Sequence, residues 1–337
     1  MRIGITYDLR EDYGISEDSS VFADFCQPSE ISYLADAIRE CGWEPVSIGN
    51  MHKLYQWLRA DNPRPDLVFA TDEGILSRNR EAIVPALLEL AGIPCIGSDA
   101  YAMGLSQNKY HTKLAARQLG LYVPGCLYIP HGQEKLEAYL HAGMKRNKLE
   151  FPVVVKPNCE GYSMGVGVAS NPRELAEQVR WNMEQYHDAV LCEAYIRGEE
   201  VYVPVVGTGT DAYALGIGAC KYEDGSPIDI FSLGDKCFRA IRDEAASFGA
   251  AADRTLRKHA LSIHRHLQCR DLSRSDFKVD EAGKAWFLEI NPRPGLTPGG
   301  PFETCARAAG KTYAGVIGEI VRSAAARCSL FPGSKGE

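Results

Sequence analysis

The run Arg274-Ser275-Asp276-Phe277-Lys278-Val279, joined through Asp280-Glu281-Ala282-Gly283-Lys284 to Ala285-Trp286-Phe287-Leu288-Glu289-Ile290-Asn291, reads as a β-hairpin. Strand alternation places Trp286, Leu288 and Ile290 on one face of the second strand, and Phe287, Glu289 and Asn291 on the other. In the first strand Phe277 and Val279 share the apolar side, while Arg274, Asp276 and Lys278 share the polar one. Matching those faces across a short loop sets Asp276 opposite Glu289 or Phe287. One face of the hairpin then collects Arg274, Asp276, Glu289 and Asn291, an oxygen-rich group of the kind Mg²⁺ takes, with water and phosphate oxygens filling its other positions. Isolated, such a spacing is the solvated face of an edge hairpin. The next residues, Pro292-Arg293-Pro294-Gly295-Leu296-Thr297-Pro298-Gly299-Gly300, change that weighting, because a stiff glycine-rich turn lets backbone approach a ligand.

Upstream, Phe151-Pro152-Val153-Val154-Val155-Lys156-Pro157 reads as a short buried strand carrying one lysine, followed by the glycine-rich turn Glu160-Gly161-Tyr162-Ser163-Met164-Gly165-Val166-Gly167. A lysine between valines and a proline commonly snorkels to an edge. Beside a turn with exposed N–H groups it suits phosphate oxygens instead, since both sets of donors address one anion. Lys156, the turn and the acidic hairpin together point to a site for a magnesium–nucleotide complex. Asn171-Pro172-Arg173-Glu174 predicts a capped helix to about Tyr186. Strands are expected at Val190 to Ala194 and Val201 to Val206, and a helix over about 253–267.

The first part of the chain alternates strands (Arg2 to Thr6, Pro45 to Ile48, Asp66 to Ala70) with helical windows. Ser29 is the expected cap of a helix burying Ile31, Leu34, Ala35 and Ile38 and stopped by Gly42. Pro85 belongs in the first turn of the helix ending at Ala91, where its missing N–H costs nothing. Gln107 to Leu119 is expected as one helix closed by Gly120. The pattern is that of an α/β protein. The expected domains are an N-terminal α/β unit at about 1–95, a central unit at 96–190 and a C-terminal unit at 191–337, whose loop at 222–240 has the glycines and charges of a mobile lid.

Length and composition exclude other classes. A chain of 337 residues with 45% hydrophobic and 24% charged residues is neither disordered nor membrane-embedded in composition. Its 37 basic and 44 acidic side chains leave a net charge of −7, which gives nucleic acid or an anionic membrane no general attraction. The eleven cysteines lack zinc-ligand spacing and read as reduced thiols. Met1 to Thr6 enters a strand directly, and no apolar run approaches the roughly 20 residues of a membrane span, so the cytoplasm is the expected compartment. His259, His264 and His266 have no metal-site spacing and read as a solvated helix face.

The segments Gly92 to Asp99, Asn108-Lys109-Tyr110-His111-Thr112-Lys113, Val153 to Pro157, Glu160 to Gly165, Val190 to Glu200 and Arg274 to Leu296 resemble, in order, the motifs of ATP-grasp ligases of the D-alanine–D-alanine ligase family. The resemblance runs from about residue 92 to about 320, and more loosely through the first 90, with Glu73-Gly74 and Arg80 to Glu89 as its clearest stretch there. It implies an α+β ATP-grasp fold, with a Rossmann-like N-terminal domain followed by two ATP-grasp subdomains that hold the nucleotide between them. It also implies ATP and Mg²⁺ (two ions), small amino-acid-like substrates and a homodimer. By this resemblance Lys109, Lys156 and the lid residue Lys236 would hold phosphates, Glu193 with the backbone near Tyr195 and Ile196 would bind adenine, and Glu200 would take the ribose hydroxyls. Asp276, Glu289 and Asn291 would ligate Mg²⁺, and Arg274 with the backbone of Gly295 would stabilise a tetrahedral intermediate.

Three departures lie on the substrate side. Tyr162 followed by Ser163 stands where the family has two serines. Gly299-Gly300-Pro301 replaces a serine offered to the second substrate's carboxylate. The N-terminal glutamate that meets the first substrate's ammonium is represented by Asp24 at best. The resulting expectation is a carboxylate–amine ligase working through an acyl phosphate, with altered substrate specificity and an acceptor that D-alanine does not satisfy best. Its competitors are a true D-alanine–D-alanine ligase of peptidoglycan precursor synthesis, a phosphotransferase that stops at phosphorylation, and an ATP-binding regulator without turnover. Retention of all three metal-ligand positions argues against the regulator.

Overall fold

The computed structural model describes residues 1–15, 22, 24–75, 77–230, 233–234 and 240–330. Strands β1 (Arg2–Thr6), β2 (Glu44–Gly49), β3 (Leu67–Ala70) and β4 (Cys95–Ile96) form a parallel sheet in the order β2-β1-β3-β4. Helices α1 (Pro28–Glu40), α2 (Met51–Arg59) and α3 (Ile83–Ala91) connect them. Pro28 occupies the first turn of α1, and Gln27 is the cap. The Gln27 side chain accepts from the backbone of Glu30, and the Gln27 N–H donates to the Glu30 carboxylate at 2.7 Å, so the expected cap at Ser29 is corrected by two residues. Pro85 lies in the first turn of α3, as its chemistry requires.

Helices α4 (Ala100–Gln107) and α5 (Lys109–Gln118) replace the single helix expected from Gln107. Asn108 divides them: its extended backbone ends one, and its side chain accepts from the His111 N–H at 3.0 Å to start the next. A second sheet contains β5 (Cys126–Ile129), β6 (Val153–Pro157), β7 (Gly167–Ala169) and β8 (Val190–Ala194) in the order β5-β8-β6-β7, antiparallel throughout. It is backed by α6 (Leu136–Arg146) and α7 (Pro172–Tyr186), the latter capped by Asn171 through the N–H groups of Arg173 and Glu174.

The third sheet is built around β9 (Glu199–Val206), with β10 (Tyr213–Ala214), β11 (Gly218–Tyr222), β12 (Ile241–Ala245), β13 (Leu272–Val279) and β14 (Ala285–Asn291). Helix α8 (Ala250–His266) covers one face, while α9 (Pro301–Ala308) and α10 (Tyr313–Arg327) return toward the first sheet. Val316, Ile317 and Ile320 of α10 share a core with Ile3, Ile5 and Leu34, so the two ends of the chain close one hydrophobic unit. His264 of α8 is wholly buried and hydrogen-bonded to Ser273 Oγ at 2.7 Å, which corrects the expectation of a solvated histidine face. Among the described residues the cysteines are free thiols, and no helix is long and apolar enough to cross a membrane.

The hairpin departs from simple alternation at one residue. Arg274 pairs with Asn291 and Asp276 with Glu289, but Phe277 pairs with Phe287, leaving Leu288 as the extra residue of a β-bulge. The bulge turns Phe287 and Ile290 to the same buried cluster, where Phe287 meets Phe277 edge-on at 5.8 Å. Trp286, Leu288 and Ile290 therefore do not share a face, and Phe287 does not accompany Glu289 and Asn291. A strict two-residue repeat could not bury both Phe287 and Ile290; one inserted residue does.

Candidate active site

Two lysines converge because α5 is tied to the end of β6. The Lys109 N–H donates to the Asn158 carbonyl at 3.1 Å, and Asn158 Oδ1 accepts from the Tyr110 N–H at 3.0 Å. Lys109 Nζ then lies 3.4 Å from a Glu289 carboxylate oxygen and also donates to the Glu160 carbonyl. Lys156 Nζ sits 3.2 Å from Glu193, whose other oxygen is 3.1 Å from Lys113 Nζ. Lys113 completes its contacts by donating to the carbonyl of the bulged Leu288 at 2.8 Å. Burial alone would raise the Glu193 carboxyl, but the two ammonium groups hold it below the usual carboxylate range. Burial pushes Lys113 down to about 8. Lys156 stays above its ordinary value, because Glu193, Glu289 and Glu200 outweigh its burial. Of this buried trio, Lys156 and Glu193 line the pocket, and Lys113 lies behind them.

The glycine-rich turn forms the opposite wall. Tyr162 and Ser163 hold left-handed backbone angles (φ 51° and 62°), an uncommon and costly state for residues with a Cβ. Gly165 could be nothing else: at φ 71° an added Cβ would stand 2.2 Å from Asn182 Oδ1 and 2.8 Å from Pro157 Cδ. The pocket between turn and hairpin is lined by Lys109, Lys156, Glu160, Gly161, Ser163, Ala194, Ile196, Glu200, Asp276 and Glu289, among others.

On the hairpin, Arg274 grips Asp276 through two bonds of 2.8 Å. Burial opposes the Arg274 charge, yet Asp276, Glu289 and Asp243 keep its guanidinium more firmly protonated than usual. Asn291 Oδ1 accepts from the Arg293 N–H at 2.9 Å, fixing the turn that leads to Gly295. Two carboxylates and one amide oxygen on a single hairpin face, next to two lysines, are the hard oxygen donors Mg²⁺ selects, so the residues present fit that ion.

Beyond the hairpin a second cavity, of about 420 Å³, opens between the first and third sheets. Gly161, Ser163, Glu200, Asp276 and Glu289 line both spaces, so the two meet along one edge. Two buried arginines hold its acidic wall. Arg80 lies 3.1 Å from Glu160 and 3.6 Å from Asp24, and Arg293 lies 2.6 Å from Glu73 and 3.4 Å from Glu81. Asp24 Oδ1 is buried without a hydrogen-bond partner. Carboxylates outnumber guanidinium groups here, and burial raises Glu73 to about 8 against the pull of Arg293, with Asp24 and Glu81 adding to the rise.

That shift has a measurable consequence. A carboxyl whose pKa is raised on folding stabilises the protein below its unfolded pKa of about 4.3, and that stability is lost as pH climbs through the folded value. The thermal midpoint of the free protein is therefore expected to fall between pH 6 and pH 8. Glu73→Gln should flatten that slope, and an equally steep slope in the variant removes Glu73 as its source.

Comparison with known proteins fits this layout. The family model of the D-ala D-ala ligase C-terminus matches residues 116–322, spanning Lys156 of β6, the glycine turn and the hairpin. The chain belongs to the D-alanine–D-alanine ligase family. As a member of that family it is an ATP-grasp ligase, and the family in general uses ATP with Mg²⁺. The ligase is 30% identical over 248 residues to a D-alanine–D-alanine ligase of Albidiferax ferrireducens, covering 72% of this chain and 68% of the relative. It is 29% identical over 305 residues to the uncharacterized protein y4sG of Sinorhizobium fredii, covering 85% and 84%. A crystal structure of D-alanine–D-alanine ligase from Bacillus anthracis complexed with ATP shares its fold, with a TM-score of 0.75 at 21% identity over 98% of each chain.

Not every residue singled out in the ligase sequence reaches the site. Lys236 lies outside the described residues, as do 231–232, 235 and 237–239 of the expected lid. Tyr195 turns its hydroxyl to Asp229, which Lys278 also engages, leaving Ala194 and Ile196 to line the pocket. Gly299 and Gly300 do not line the cavity; they lead into α9, with the Gly299 N–H bonded to Glu303 at 2.7 Å, and Thr297 and Pro301 line it instead. An added Cβ on Gly295 would meet nothing nearer than 3.9 Å, so the fold itself does not demand glycine there. Lys113 and Arg80 were missed. The i, i+4 repeat of Lys109 and Lys113 on one helix is a usable signal for the first; Arg80 opens the N-terminal stretch that resembles the family, which is its only signal.

Proposed function

We propose that this ligase joins two amino-acid-like substrates through an acyl phosphate, and that D-alanine is not its best acceptor. The observation that carries the reading is the shared edge of the two cavities: a lysine-floored pocket suited to phosphates meets a carboxylate-lined cavity suited to amino groups at Asp276 and Glu289. Lys109 and Lys156 hold the ATP phosphates, Glu200 the ribose, and the backbone around Ala194 and Ile196 the adenine. Asp276, Glu289 and Asn291 hold Mg²⁺ as one or two ions, which when bound offsets phosphate charge. Asp24 Oδ1, lacking a partner, takes the substrate ammonium.

The substrate carboxylate attacks the terminal phosphorus, and ADP leaves. The neutral amine then attacks the acyl carbon to give a tetrahedral intermediate whose oxyanion faces Arg274 and the backbone of Gly295, and phosphate departs as its C–O bond breaks, taking up the proton that the amine nitrogen releases. Tyr162, which lines the cavity where the family has a serine, supports a changed acceptor, because its ring fills volume that a serine leaves open. The test is ADP release and product formation with substrates supplied singly and in pairs. Release is expected with the pair and an amide product with it; steady release from one substrate alone, with no amide, would show a phosphotransferase.

A further inference from the structure

Among the described residues, eight carboxyl side chains and two guanidinium groups line the large cavity, with no lysine or histidine. Glu200, Asp276 and Glu289 face ATP and Mg²⁺ in the proposed reaction. Arg274 is taken up by Asp276 and stands near Asp243, and Glu30 caps α1 through the Gln27 N–H. What is left is the acidic wall held by Arg80 and Arg293, where the four carboxyl groups of Asp24, Glu73, Glu81 and Glu160 meet two guanidinium groups. Two of the four have no counter-charge in that wall. In the free protein one of them is met by a proton, since burial first, then Asp24 and Glu81, keep the Glu73 carboxyl up at about 8 against the pull of Arg293. A carboxylate withdrawn from water calls for a cation. An amino acid with a neutral side chain brings one ammonium and one carboxylate, so it leaves that balance unchanged.

Glu73 and Glu81 have surface to offer a ligand. Their side chains are 20% and 12% exposed, and Arg293 engages one oxygen of each, at 2.6 Å and 3.4 Å. The other oxygen of each has no partner among the described residues. Asp24 is a separate observation: its side chain lines the same cavity at 6% exposure, and its Oδ1 is left without a donor, where a buried oxygen is normally satisfied.

We infer that the amino acid whose ammonium Asp24 takes carries a second cationic group, an amine or guanidinium on its side chain, held by Glu73 and Glu81. This rests on the ligase reading and names its substrate class. Discrimination follows from the carboxylates themselves: a neutral side chain of the same length leaves them unpaired, and a site built around buried charged groups rejects the analogue that does so.

The experiment is ADP release by the full chain with ATP, Mg²⁺ and amino acids matched in shape but not in charge: lysine against norleucine, ornithine against norvaline, and arginine against citrulline. Alanine and glutamate complete the panel, which is supplied in D and L forms, singly and in all pairs. At least one basic member should exceed its neutral match by about tenfold or more in kcat/KM. Glu81→Gln, and independently Glu73→Gln, should lower that ratio by a similar factor, whereas general damage to the fold slows both members of a match and leaves their ratio in place. Neutral members equal to or above their basic matches throughout, alanine or glutamate above every basic member, or a ratio that neither variant moves, overturns the inference and leaves the ligase reading standing. ADP release from no member of the panel overturns the ligase reading itself, and the inference with it.

Discussion

Glu289→Gln is expected to lower magnesium-dependent ATP turnover by at least about 10²-fold with the fold intact, and Asp276→Asn to lower it as much. Both carboxylates face the edge where the two cavities meet, and Glu289 is also the counter-charge of Lys109 at 3.4 Å. Losing either one removes an oxygen donor from the hairpin face and frees a nearby cation to misplace the phosphates. The two variants differ in their side effects. The Glu289 side chain is a third exposed, so its amide is tolerated, whereas Asp276 is the bidentate partner of a buried Arg274. Asp276→Asn should therefore also lower the thermal midpoint, and Glu289→Gln is the cleaner probe. Turnover near that of the wild type in Glu289→Gln, measured as ADP release over a magnesium titration, would refute the assignment.

The second large effect is on stability. Glu193→Gln leaves the buried ammonium groups of Lys113 and Lys156 without their shared counter-charge, and a loss of about 3–5 kcal/mol is expected, visible as a fall of several degrees in the thermal midpoint. Glu193→Gln combined with Lys113→Met removes one of the stranded charges and should recover part of that loss. Activity should not return in the double variant, because the Lys113 bond to the Leu288 carbonyl that supports the bulged hairpin is gone as well. An unchanged midpoint in the single variant would show that the trio is already solvated or neutral. Denaturation followed by circular dichroism, with ADP release on the same samples, separates the two effects.

Much of the architecture was legible because local chemistry and periodicity agree with the final fold. Asn171-Pro172 opens α7 where a capped helix was expected, and the valine strand before Lys156 and the second hairpin strand from Ala285 to Asn291 fall in place. The family was legible because its motifs are short segments that follow one another in a fixed order along the chain. The bulge at Leu288 was not, since one inserted residue reverses every inward and outward assignment beyond it, and only packing against Phe277 shows which reversal buries more apolar surface.

The buried charges divide in the same way. The sequence by itself determined that Lys156, Asp276, Glu289 and Asn291 stand on strands, because spacing and strand propensity are local properties. Tertiary structure alone decided that Arg80 meets Glu160 and Asp24, that Arg293 meets Glu73 and Glu81, and that Lys113 shares Glu193 with Lys156. Those partners come from distant parts of the chain, and a charge can enter a low-dielectric interior only where the fold brings its counter-charge.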